Sequence, residues 1–187
     1  MSTTLRPNLD KSAFFRFIAQ QAEGRFEFEE GRIVQQTTGG TLDHMLLVQR
    51  FVTVLERQLD PGRWLVTSQG RGVETLATVR YPDVVLEAVG APGKGLATAS
   101  PSLVIEVMSP SSETLDQHVK PPEYMGLSTL TGYIVASQDE ARCQVWLRRK
   151  DRGFASLPKT VKGHDSKIAI KALGLTIQLA DIYSGIV

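Results

Sequence analysis

The chain has 187 residues, 42% hydrophobic and 22% charged, and a formal net charge of +1. That composition excludes a disordered or collagen-like chain and allows one globular core. Cys143 is the only cysteine, which excludes a disulfide framework within the chain and fits a reducing compartment.

Lys11 to Ala22 reads as a helix, with Phe14, Phe15 and Ile18 at helical spacing and Gly24 as its stop. It forms an N-terminal helical extension (residues 1–22) to a single domain covering 1–187. Arg25 to Glu29 alternates, Glu30-Gly31 turns, and Arg32 to Gln35 returns, which predicts a hairpin. Leu42 to Leu59 is the clearest helix, with Leu46, Leu47, Phe51, Val54 and Leu55 along one face and Asp60-Pro61-Gly62 ending it. Strands follow at Trp64–Thr67, Val73–Leu76 and Asp83–Ala88, then a loop over 90–100. Ser102 to Met108 is a strongly apolar strand. Ser109 to Ser112 forms a turn and helix cap. A helical segment broken by Pro121-Pro122 comes next. Gly132–Ala136 and Gln144–Arg149 are strands, with short ones near Phe154–Leu157, Ile168–Ile170 and Leu175–Ile177. Trp64, Trp146 and Cys143 read as core. This order predicts a mixed α/β sheet flanked by helices.

Charge is uneven. Between Arg142 and Lys171, nine Lys/Arg face only Asp151 and Asp165. Such a stretch can follow a phosphate backbone, or it can guard a sheet edge with lysines. The first ten residues lack the apolar core of a signal peptide. No run reaches the roughly 18 apolar residues of a membrane span. A cytoplasmic protein without a membrane partner is expected.

Two carboxylates stand out. Glu106 sits inside the apolar run of 102–108, where an ionised side chain costs several kcal/mol unless paired or metal-bound. Its sequence neighbours offer no cation. Asp83 opens a second apolar strand after Pro82, a residue suited to a strand start. If these strands pair, the carboxylates face each other and repel unless a hard cation such as Mg²⁺ lies between them. The alternative is an Asp capping backbone and a Glu satisfied by a buried Arg. His118 and His164 have no partner at metal-ligand spacing.

Pro82-Asp83, a loop, then Val104-Ile105-Glu106-Val107 resembles the PD-(D/E)XK nuclease superfamily. The wider context adds Phe26-Glu27-Phe28 with Gly31, His44, Tyr81-Pro82-Asp83-Val84-Val85, and Leu103 to Ser111 (Leu-Val-Ile-Glu-Val-Met-Ser-Pro-Ser). Asp116, Lys120, Tyr124 and Gly132-Tyr133-Ile134-Val135 complete it. This resembles the Uma-two endonuclease-like family over roughly residues 24–182.

The resemblance implies a restriction-endonuclease-like fold, a mixed β-sheet flanked by helices, with a site for Mg²⁺ or Mn²⁺. Asp83, Glu106 and the Val107 carbonyl are implied as ligands, with Glu27 adding another directly or through water. A metal-dependent DNA endonuclease, acting as a homodimer, is the implied activity. The superfamily lysine position is occupied here by Met108, and Lys120 matches the position that replaces it in this family. Asp116, Lys120 and Tyr124 share one helical face. Pro121-Pro122 predicts extended backbone at Lys120 and Pro121, with a helix starting near Pro122. That favours the other reading, a degenerate nuclease-fold domain acting as a nucleic-acid-binding or interaction module. His44 and Gln69 are candidate accessory residues: His44 is a packing residue or a site residue, and Gln69 a turn residue or part of the site rim, as is Arg71.

Overall fold

The computed structural model describes residues 9–21, 23–36, 40–90, 95–108 and 114–187. The first helix, α1 (Lys11–Ile18), starts where the Asp10 carboxylate accepts from the Ala13 amide at 2.6 Å. It ends earlier than periodicity predicts, and Ala22 lies outside the described residues. The segment expected as an extension packs into the molecule: Phe14 is fully buried against Phe28 and Val79.

Two ladders carry the fold. In the first, β1 (Arg25–Glu29) and β2 (Arg32–Gln36) form the expected hairpin. Its turn holds Glu30 at φ 45° and Gly31 at φ 87°, the positive pair that suits the strand twist and favours glycine. The expected strand Val73–Leu76 is instead β4 (Gly72–Glu74), a turn, and β5 (Thr78–Arg80). Thr75 makes that turn by accepting the Thr78 amide on its hydroxyl. With β7 (Ala97–Thr98) the order is β2-β1-β5-β4-β7.

The second ladder holds β3 (Trp64–Ser68), β6 (Val84–Ala88), β8 (Pro101–Val107), β9 (Gly132–Ala136), β10 (Arg142–Leu147) and β11 (Lys159–Lys162). Its order is β11-β10-β9-β8-β6-β3, and only β8 and β9 run parallel. The last strand lies later than Phe154–Leu157. Pro158 lacks a ladder donor and stands just before it, while Phe154 packs under the Arg148 guanidinium.

Side chains of β8 alternate between two cores. Leu103, Ile105 and Val107 face α2 (Leu42–Gln58), α4 (Leu179–Tyr183) and the hairpin of β12 (Lys167–Ile170) and β13 (Leu175–Gln178). Leu47, Phe51 and Leu55 of α2 are fully buried there, each stabilising by about 1.5–3 kcal/mol. Val104 faces the other way, with Val85, Tyr133, Val135, Trp146 and Tyr124 of α3 (Lys120–Met125). The mixed α/β architecture flanked by helices is therefore as expected, with a second sheet added. Trp146 and Cys143 are core, and Trp64 packs half-buried against it. The predicted cap at 109–112 lies outside the described residues.

Candidate active site

The strands bearing the two carboxylates do pair. β6 and β8 run antiparallel with Val84 opposite Ile105, which sets Asp83 opposite Glu106 on one face. Both are buried, at 6% and 4% exposure. Asp83 Oδ2 accepts the Val107 amide at 2.8 Å and lies 3.2 Å from His44 Nε2. Thr41 caps α2 by accepting the His44 amide, so the helix start holds the imidazole against Asp83.

Glu106 finds its cation in Lys120. Lys120 Nζ donates to Glu106 Oε1 at 2.7 Å and pairs with Asp116 Oδ1 at 2.8 Å. The Tyr124 hydroxyl donates to the same Glu106 oxygen at 3.3 Å. Burial pushes the Glu106 carboxyl well above the usual range; Lys120 pulls it back, and Asp116 and Asp83 push it further up. Burial alone lowers the Lys120 pKa, yet Glu106, Asp116 and Glu27 together hold it above that of an ordinary lysine.

The extended backbone expected at Lys120 is not what forms. Lys120 is helical, at φ −65° and ψ −35°. A π-helical turn, Leu115–Val119, precedes α3, and the Lys120 amide reaches the Leu115 carbonyl. Pro121 and Pro122 then occupy the first turn of α3, which continues the π-helical turn without a break. Pro121 offers no N–H to the Asp116 carbonyl. The Tyr133 hydroxyl takes that carbonyl instead, at 2.9 Å. Lys120 keeps helical geometry before a proline, against the usual preference, with its side chain held by Glu106 and Asp116.

Glu27, the expected additional ligand, stands beside this group with its oxygens engaged. It accepts from Arg80 Nη1 at 2.9 Å, the Tyr81 amide at 3.1 Å and Gln36 Nε2 at 3.2 Å. Arg80 is 2% exposed and also binds Glu29 and Glu123, the latter through Nε at 2.9 Å and Nη2 at 2.8 Å. Burial works against its charge, and Glu123, Glu27 and Glu29 more than restore it. The sequence reading passed over Arg80 and Glu123. Arg80 stands two positions before Pro82 at the end of the short strand β5, and its partners lie on other elements. The structure brings together Asp83, Glu106, Val107, His44, Lys120, Asp116 and Tyr124, with Glu27 alongside. Gln69 stays apart except for its backbone, whose amide donates to the Asp83 carbonyl at 3.2 Å. Arg71 pairs with the buried Glu87 at 2.7 Å.

The basic C-terminal stretch is not one surface. Cys143 pairs with Ala136 and Leu147 with Gly132, so Arg148–Arg152 lies at the end of the sheet away from Val107. Arg148 is spent on the Leu127 and Leu130 carbonyls, and Arg142 and Lys162 pair with Glu140. Lys159 and Lys162 are exposed on the edge strand β11, which matches the edge-guarding reading. No described helix is long and apolar enough to cross a membrane.

A family model described as "Uma2: Putative restriction endonuclease" matches residues 12–180, which include every residue of this cluster. The chain belongs to the Uma2 family. A relative in Synechocystis sp., "Uncharacterized protein slr1290", is 24% identical over 183 residues, covering 96% of this chain and 94% of that one. The crystal structure of "a putative nuclease belonging to DUF820" from Anabaena variabilis superposes with a TM-score of 0.73 at 15% identity. It covers 91% of this chain and 97% of that one, so the two share a fold.

Proposed function

We propose that this Uma2 protein is a divalent-metal-dependent DNA endonuclease whose centre is Asp83, Glu106 and Lys120. One observation carries the reading: the balance of buried charge. Glu27, Asp83, Glu106 and Asp116 are all buried, against only Arg80 and Lys120. Carboxylates outnumber the permanent cations, with His44 beside Asp83; burial first, then Asp116 and Asp83, raise the Glu106 carboxyl against the pull of Lys120. Hard carboxylate oxygens facing each other across a ladder suit Mg²⁺ or Mn²⁺. Among the described residues, no three His, Cys, Asp or Glu side chains gather to hold an ion by themselves. Asp83 and Glu106 would therefore share the ion with backbone oxygen, that of Val107 in this reading, and with water or phosphate.

When bound, Mg²⁺ supplies a Lewis acid for the phosphate and lowers the pKa of an attacking water. The protein's own part is positioning. The Val107 amide and His44 fix Asp83, and Tyr124 and Lys120 fix Glu106. The Lys120 ammonium orients water and offsets charge developing on the phosphate. Cutting both strands of a duplex takes two such sites, which is the reason to expect a homodimer. A module that binds without cutting is the second reading, favoured by the absence of a three-side-chain ligand set among the described residues.

Mn²⁺ titration calorimetry on the wild type and Asp83→Ala tests the centre. Heat lost in the variant, with Mn²⁺-dependent cleavage abolished by Lys120→Ala, is the expected result. DNA bound but left uncut with Mn²⁺ supports the second reading. No Mn²⁺ binding by the wild type, with or without DNA, overturns the metal centre.

A further inference from the structure

A cleft of about 250 Å³ lies at the end of the first sheet, lined by Ile18, Gly24, Arg25, Phe26, Gln69, Gly70 and Tyr81. It shares chain with the candidate centre. Tyr81 is two residues before Asp83, and its amide is bound by Glu27. On the opposite rim, the Gln69 amide donates to the Asp83 carbonyl. The cleft wall is therefore tied through the backbone to the segment that carries Asp83.

The lining has a definite chemistry. Phe26 is half-buried and held edge-on against Phe17, with ring centres 5.1 Å apart. Gly24 makes its seat, since a Cβ there would stand 2.7 Å from the Phe26 ring. Arg25 is tied to the wall by its bond to the Tyr81 carbonyl at 3.3 Å. Gln69 has φ 49° and an exposed side chain. A non-glycine residue in that region carries strain, and such strain gathers at functional positions. Here it stands between an exposed serine and Gly70, where glycine would relieve it. The cleft is smaller than the roughly 300–1,000 Å³ of drug-sized pockets, a size for one planar ring system.

We propose that this cleft receives a single unpaired nucleobase of the substrate strand, next to the phosphate at the centre. Phe26 supplies the stacking face. The Gln69 amide, donor and acceptor together, reads the base edge, and Arg25 adds positive charge. Base pockets of this kind combine an aromatic wall with a few polar groups. The inference rests on the nuclease reading, deepens it to a strand with a splayed base, and can fail by itself.

The test titrates the full chain into a single-stranded oligonucleotide carrying 2-aminopurine, in EDTA so that nothing is cut. A rise in emission on binding is expected for the wild type, as the probe leaves its stack with neighbouring bases. Binding about tenfold weaker is expected for both Phe26→Leu and Gln69→Gly, with Mn²⁺ titration heats unchanged. Leucine keeps the apolar contact with Phe17, and glycine relieves the positive φ, so both variants fold. Strand binding that neither variant weakens, with emission unchanged, overturns the pocket and leaves the nuclease reading standing. A wild type that binds Mn²⁺ but no strand also overturns the pocket. A wild type that binds neither overturns the nuclease reading itself.

Discussion

Lys120 is the residue on which most of the site depends. Lys120 also pairs with the buried Asp116; a buried carboxylate stripped of its cation costs about 3–5 kcal/mol, so Lys120→Met is expected to lower unfolding free energy by roughly that amount through Asp116. Urea denaturation at neutral pH measures it. Glu106 adds a pH signature. Its folded pKa is raised from the ordinary 4.5 to about 8, so between those values the folded chain holds a proton that the unfolded chain releases. Stability from this group is full below pH 4.5 and is lost as pH rises through about 8. Denaturation in EDTA at pH 5 and pH 8 is expected to show the fall in the wild type and a flatter profile in Glu106→Gln. Equal slopes would mean that Glu106 is ionised across the range.

At the scale of elements, the π-helical turn before α3 decides where Lys120 points. Two prolines looked like a break because they remove amide donors. In the fold the helix runs on through them, and the carbonyl that Pro121 leaves without a donor at Asp116 meets a tyrosine from β9. Tyr133→Phe is expected to cost about 1–3 kcal/mol, the penalty for an unsatisfied buried carbonyl. It is also expected to lower Mn²⁺-dependent cleavage by shifting the turn that carries Asp116. Thermal unfolding beside a cleavage assay separates the two effects, and unchanged values in both would refute this account of the turn. Arg80 acts on the same helix from outside, joining Glu123 of α3 to Glu27 of β1.

Over the whole molecule, the two cores on either face of the central ladder unfold together if the sheet is one cooperative unit. Cys143 reports on this. It is fully buried, and burial pushes its thiol up to about 12 despite the Tyr183 hydroxyl nearby. That raised pKa contributes stability below pH 9.0, lost only as pH climbs through about 12. Labelling at pH 8 with an aromatic disulfide reagent is expected to be negligible in the native chain. It becomes complete in urea along the same transition as circular dichroism. Fast native labelling would place β10 in a locally opening segment.

Much was determined by local pattern. The hairpin at Glu30-Gly31, the long amphipathic α2 and the apolar β8 each follow from periodicity and turn chemistry within a few residues. A carboxylate inside an apolar strand announced that some partner had to exist, because an isolated buried charge is too costly. Which partner was beyond the sequence. Lys120 for Glu106, Arg80 for Glu27 and Tyr133 for the Asp116 carbonyl are contacts between separate elements, with nothing local to specify them. The same holds for the basic stretch, continuous along the chain yet split between two ends of a sheet because β10 runs antiparallel to β9 and β11. Local physics set what each segment is. Only the register of the strands decided which charges meet.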